Sequence, residues 1–170
     1  MNRRGFSLIE LSLVLVILAI LAGAVALRLQ GPMSHARMGD VAGAVEAFDH
    51  VTRTAAVEQD RPLRMLIDLG AGRLSRLDED GRPLPVAPLV LPEGFRIARV
   101  LVREHDVADG QTTISCSRHG LTPTHALLLE GQGQRRWLVF AGLARDALGV
   151  DDETQAKEIL EVASPRRDAR

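Results

Sequence analysis

One apolar run near the N-terminus constrains this chain more than any other feature. Of the 22 residues from Phe6 to Leu27, all but Ser7, Glu10, Ser12 and Gly23 are hydrophobic. As a helix rising about 1.5 Å per residue, the run reaches about 33 Å, enough to cross a hydrocarbon core about 30 Å thick. Arg3 and Arg4 precede it, so the positive-inside rule keeps the N-terminus cytoplasmic and sends everything after Arg28 across. Three readings meet these facts. A secretory signal would use the small residues of Ala22-Gly23-Ala24 or Ala24-Val25-Ala26 for cleavage. A plain anchor would use none. The third reading must account for Glu10, because an unpaired carboxylate in lipid costs about 2.5 kcal/mol or more. Neither of the first two gives that charge a partner.

Gly5, Phe6, Ser7, Leu8, Ile9 and Glu10, followed at once by the apolar stretch, resemble the precursor N-terminus of type IV pilins and pseudopilins. That pattern is a short basic leader ending in Gly, then Phe, Ser or Thr, Leu, an aliphatic residue and Glu. The resemblance implies that a prepilin peptidase cuts between Gly5 and Phe6 on the cytoplasmic face and methylates the new α-amine of Phe6. It also implies that Glu10 faces this amine in a neighbouring subunit of a helical filament. Such a role is physically coherent, because a buried carboxylate is tolerated when an opposite charge satisfies it. Only one stagger brings amine and carboxylate together, and a head-to-tail contact repeated about a screw axis builds a filament.

Past the run, Gly31 and Pro32 predict a kink or local break, since proline removes a donor and clashes with the preceding turn. Apolar residues then return at Val41, Ala44, Val45, Phe48, Val51 and Ala55. Their spacing predicts an amphipathic helix to about Gln59, with Asp40, Glu46, Asp49 and Arg53 largely off the apolar face. Pro62 bars further extension. The remainder reads as strands: a hairpin from 63–69 and 73–77, a short strand within 86–91, then 95–103, 111–116, 125–130 and 135–140. In the strand at 95–103, Phe95, Ile97, Arg99 and Leu101 alternate with Arg96, Ala98, Val100 and Val102. Gly131-Gln132-Gly133 forms the last hairpin loop. The predicted class is α+β, a long N-terminal transmembrane helix on an antiparallel β-domain of one or two sheets. Its parts are a leader (1–5), a membrane and assembly helix (6–28), an amphipathic continuation (29–60), a β-rich head (61–150) and a C-terminal extension (151–170).

Across the head, the stretches at 61–69, 91–97 and from His119 through 137–143 resemble the GspH/FimT-type minor subunits. That resemblance implies a β-rich head, often with two sheets packed face to face.

Composition narrows the chemistry. The 170 residues carry a formal net charge of −1, contain no Tyr and are 3% aromatic, which argues against a nucleic-acid coat or a base-stacking platform. One cysteine excludes an intramolecular disulfide framework. Cys116, His119 and His125, with His105 upstream, lack the paired ligands of a zinc site, so the histidines read as loop residues and Cys116 as a small buried one. Asp78 and Asp80 before Gly81 read as a solvated turn, because the later carboxylates of a calcium loop are missing. Gly70 and Gly72 precede no lysine or helix start, and Ser117, His119 and Asp109 form a triad only on paper. No catalytic group, metal site or cofactor is predicted. The tail from Asp151 is acidic and suits a short helix capped by Asp151 or Asp152. Some FimT-type pilins bind DNA through C-terminal arginines in a Gly-Arg-x-Arg pattern. Here Arg166, Arg167 and Arg170 lack the glycine and are diluted by Asp168. With Arg135 and Arg136 they offer at most five phosphate contacts, a weak salt-dependent grip, so the tail reads as a charged extension and DNA is not an expected partner.

The expectation is a non-enzymatic minor pseudopilin of a type II secretion system, with a minor type IV pilin of pilus assembly or DNA uptake as the alternative. It would be a single-pass protein of the bacterial inner membrane, N-terminus cytoplasmic and head periplasmic, later part of the periplasmic pseudopilus. Its partners would be the prepilin peptidase, other major and minor pseudopilins, and secreted cargo.

Overall fold

The computed structural model describes residues 8–102, 105–142, 144 and 147–163, with the side chains of residues 8–11 and 21–36 outside the description. The fold is α+β. Its elements are α1 (Leu8–Glu58), β1 (Leu63–Asp68), β2 (Arg73–Leu77), β3 (Leu89–Val90), β4 (Phe95–Val102), β5 (His105–Val107), β6 (Gln111–Cys116), β7 (His125–Gly131), β8 (Gln134–Phe140), β9 (Leu148–Val150) and α2 (Glu153–Ala163). The chain divides into two compact units, Met1–Arg37 and Met38–Arg170, and α1 contributes to both.

In the first unit the helix is unbroken across Gly31 and Pro32. Of the kink or local break expected there, the break is absent: one lost N–H donor does not end so long a run. The side chains of these two residues lie outside the description.

In the second unit α1 turns Met38, Val41, Ala42, Val45 and Phe48 into a core. The spacing is by threes and fours, as for one helical face. The phase differs from the sequence reading, because Ala44 and Val51 are exposed whereas Asp49 and Arg53 are buried. The reading by residue type failed because this pair neutralises itself. Arg53 Nε donates to Asp49 Oδ2 at 2.6 Å, one turn apart, and a satisfied ion pair can occupy a buried face. The helix ends in a two-bond cap: Arg61 N–H donates to Ala56 O and Asp60 N–H to Val57 O, with Asp60 at φ 44°. This is the Schellman arrangement, and Pro62 follows.

The strands form two antiparallel sheets, β3-β2-β1-β6 and β5-β4-β7-β8-β9. The β1–β2 hairpin and the strands at 111–116, 125–131 and 134–140 fall where the pattern placed them. At the β7–β8 turn Gln132 and Gly133 both have positive φ, 51° and 76°, the two-residue turn that matches strand twist. Gly131 must be glycine, since a Cβ there would sit 2.2 Å from a Phe95 ring carbon.

Two features depart from the pattern. The proline-rich connection holds only the two-residue β3, because Pro85, Pro88 and Pro92 withdraw ladder donors around it. In β4 the register slips between Ile97 and Arg99. This bulge breaks the expected alternation and places both Ile97 and Val100 in the main core, leaving Arg99 and Leu101 on the opposite face. The short strands β5 and β9 lack an alternation of their own and escape a pattern reading.

The main core joins residues of α1 to Met65, Ile67, Leu74 and Ile114 of one sheet and Ile97, Val100, Leu127, Leu129 and Leu138 of the other. Beneath the end of α1, burial raises the Asp49 carboxyl above its usual range, partly offset by Arg53. Arg53→Met should therefore destabilise a fragment of residues 34–170 by about 3–5 kcal/mol in urea unfolding, by stranding a buried carboxylate. The Asp49→Leu/Arg53→Met double variant should regain most of that loss. A double variant as unstable as the single one would show that the pair acts through something other than mutual neutralisation.

Candidate functional site

Sequence motif and exposed apolar surface coincide at the N-terminal helix. Gly5 and Phe6 lie outside the described residues, and Glu10 falls within α1 with its side chain outside the description. Residues 12–20 are described and are exposed on every side of the helix. Leu13 is 61% accessible, Val16 55% and Ile20 66%. A helix that is apolar all round requires an apolar environment all round. Among the described residues no helix is long and apolar enough to cross a membrane; residues 12–20 are the part of the run from Phe6 to Leu27 whose side chains are described.

In the second unit, polar groups converge near the end of α1. Arg53 Nη1 donates to the carbonyls of Gly142 and Ala144 at 3.2 and 3.3 Å, so the buried pair also holds the chain leaving β8. Gly142 N–H donates to Thr124 Oγ1, and that hydroxyl donates to Ala163 O at the end of α2. His125 is not the loop histidine the sequence suggested. It begins β7, is fully buried, stacks on Phe140 at 4.8 Å and shares a 2.9 Å hydrogen bond between Nδ1 and Pro123 O. Burial, the largest cause, pushes its pKa down to about 4.

The face of the five-stranded sheet away from the main core carries α2. Asp152 caps this helix, accepting from Thr154 N–H at 3.3 Å, as the tail sequence predicted. Arg99 Nη1 donates to Glu153 Oε2 at 2.9 Å, while its other nitrogens engage Asp106 and the guanidinium lies 5.7 Å from the Trp137 ring centroid. Beside this contact an open groove of about 460 Å³ is lined by Arg96, Glu130, Arg135, Trp137 and Asp152, among others. Its two outer arginines are already committed to one carboxylate: Arg96 and Arg135 bond Glu130 at 2.6 and 2.7 Å. Hydrogen bonding from Arg96, foremost, holds the Glu130 carboxyl below the ordinary range.

The remaining candidates do not assemble. Cys116 is buried, His119 contacts Arg118 in an exposed loop, and His105 sits on β5. Among the described residues no three His, Cys, Asp or Glu side chains come together to hold a metal. Asp78 closes a turn by accepting from Arg82 N–H at 2.7 Å. Arg166, Arg167 and Arg170 lie outside the described residues. Sequence reasoning missed the Arg53–Gly142–Thr124–Ala163 chain and the role of Arg99, whose partners come together only in the folded head. Of these contacts spacing gives only the Asp49–Arg53 pair, four residues apart in the favourable order.

The chain thus carries an α+β head and a prepilin-type N-terminal segment: residues 1–26 match the model described as the prokaryotic N-terminal methylation motif. No curated protein sequence matches the chain. Among solved structures it is similar to the minor pseudopilin EpsH of the type 2 secretion system of Vibrio cholerae, at 13% identity and TM-score 0.46, covering 65% of this chain and 93% of that one. It is also similar to the type IV minor pilin FimU of Pseudomonas aeruginosa, at 13% identity and TM-score 0.45, covering 69% and 89%. These are likenesses of shape and assign no activity.

The buried His125 sets a pH dependence with a definite sign. Its folded pKa of about 4 lies below the ordinary 6.5, so the unfolded chain takes up the proton first as pH falls. Stability is full above about 6.5 and declines toward pH 4, by about 3 kcal/mol at 1.36 kcal/mol per pKa unit. Urea unfolding between pH 7 and 4.5 should show this slope, and His125→Gln should flatten it. An unchanged slope in the variant would assign the effect to other groups.

Proposed function

We propose that this chain is a minor pseudopilin subunit of a type II secretion system, a structural protein that helps to initiate or cap the periplasmic pseudopilus. The observation that carries the reading is the methylation motif over residues 1–26, with Glu10 set inside an otherwise apolar helix. In this reading the precursor sits in the inner membrane with its N-terminus in the cytoplasm and its head in the periplasm. The prepilin peptidase cuts after Gly5 and methylates Phe6. The helix is then withdrawn from lipid into a bundle of neighbouring pseudopilin helices, where Glu10 meets the N-terminal amine of the adjacent subunit. Lipid first and packed helices later both supply the all-round apolar surroundings that residues 12–20 require. The charge pair selects the stagger, and its loss leaves a carboxylate unpaired in an apolar setting. The head, with its own core from Met38 onward, is free to meet other pseudopilins and secreted cargo.

Mass spectrometry of the mature chain should find N-methylated Phe6 as the first residue; a terminus at Val25 or Leu27 would refute the reading in favour of a secretory signal. Glu10→Ala should be cleaved normally yet enter the filament poorly and reduce secretion. If deletion of the chain abolishes pili while secretion is unaffected, the subunit serves a type IV pilus instead.

A further inference from the structure

The C-terminal helix α2 is attached differently from the rest of the head. Of its residues only Ala156 and Leu160 are buried, with Ile159 and Val150 packed beside them. They lie on Leu101, Ala126, Leu128, Trp137 and Val139, a cluster separate from the core that joins α1 to both sheets. The polar ties are at the two ends. At the first, Arg99 reaches Glu153 across a half-exposed gap, a pairing that water weakens. At the second, the Thr124 hydroxyl donates to Ala163 O at 3.3 Å. An 11-residue helix has little stability of its own, so α2 stays helical chiefly because these contacts hold it. The main core contains no residue of α2.

We propose that α2 is a detachable cover, opening off the five-stranded sheet in a sub-global step while α1 and both sheets stay folded. Opening uncovers the apolar strip centred on Trp137, which is 3% accessible when α2 is docked. The cover is linked to the head's interior at its far end: Thr124 holds Ala163 O and also receives Gly142 N–H, whose carbonyl is held by Arg53. Loosening this relay frees the cover.

The molecule supplies its own reporter. Trp137 is the one tryptophan and the chain has no tyrosine, so intrinsic fluorescence reads the surface beneath α2. In the full chain in detergent micelles, hydrogen exchange should show the α2 amides exchanging at least ~100-fold faster than those of β4 and β7. Ala156→Asp, which places a charge against the strip, should red-shift Trp137 emission and raise its quenching by acrylamide, with β4, β7 and residues 38–58 still protected. Thr124→Val, a milder change, should speed α2 exchange by about fivefold, the worth of one hydrogen bond. Exchange of α2 in step with β7 in the wild-type chain would overturn the proposal. So would loss of protection throughout the head in Ala156→Asp, or an α2 that loses protection while Trp137 emission is unchanged.

Discussion

The head depends on the inward face of α1 from Met38 to Arg53. Both sheets turn a face into the main core, and neither face is fully covered without the helix. Met38, Val41, Val45 and Phe48 close that space, in one cluster with side chains from both sheets. Hydrophobic burial at about 25 cal/mol per Å² gives this joint its strength, but it is not directional. Direction comes from the polar end of the same face. Asp49 fixes the Arg53 guanidinium, and Arg53 reaches the carbonyls of Gly142 and Ala144, which ties the helix to the chain leaving β8. A shift of α1 along its axis would carry the Asp49–Arg53 pair with it and pull Arg53 Nη1 away from the carbonyls of Gly142 and Ala144.

What could be read from the chain alone follows from how locally each feature is determined. The β1–β2 and β7–β8 hairpins were legible because glycines, which take positive φ at no steric cost, mark their turns: Gly72 lies at φ 57° and Gly133 at 76°. The end of α1 was legible to within a residue because Pro62 bars continuation. The bulge in β4 was not. Phe95 to Val102 alternates well on paper, and only packing against two faces at once makes it worth breaking the register to bring Val100 into the core beside Ile97. Asp49, Arg53 and His125 were assigned wrongly for a related reason. A polar residue is expected outside until its partner is known, and the partners of His125, Pro123 O and the Phe140 ring, are supplied by the fold.

The candidate site divides in the same way. In the proposed function the segment from Gly5 to Glu10 is read by a peptidase and by a neighbouring helix as a linear string, so its information lies in consecutive residue types. The surfaces of the head are read in three dimensions, where Arg99 of β4, Asp106 of β5 and Glu153 of α2 become neighbours only after folding. Sequence can therefore point to an assembly segment while remaining silent on what the head meets.

The two units also answer to different solvents, which explains why one helix can serve both. Up to Ile20 the described side chains are exposed and almost wholly apolar, so that part is stable only where something apolar surrounds it. From Met38 onward the same helix buries one face and offers water the other, with Asp40 and His50 exposed. On the proposed function, one apolar sleeve is exchanged for another, lipid for packed helices, and the contacts that hold the head together are not involved. Glu10 would then limit the exchange, its carboxylate being costly in lipid and useful only where a cation meets it. That asymmetry, a small penalty before assembly and a relief after it, would give the N-terminal helix a direction in which to move.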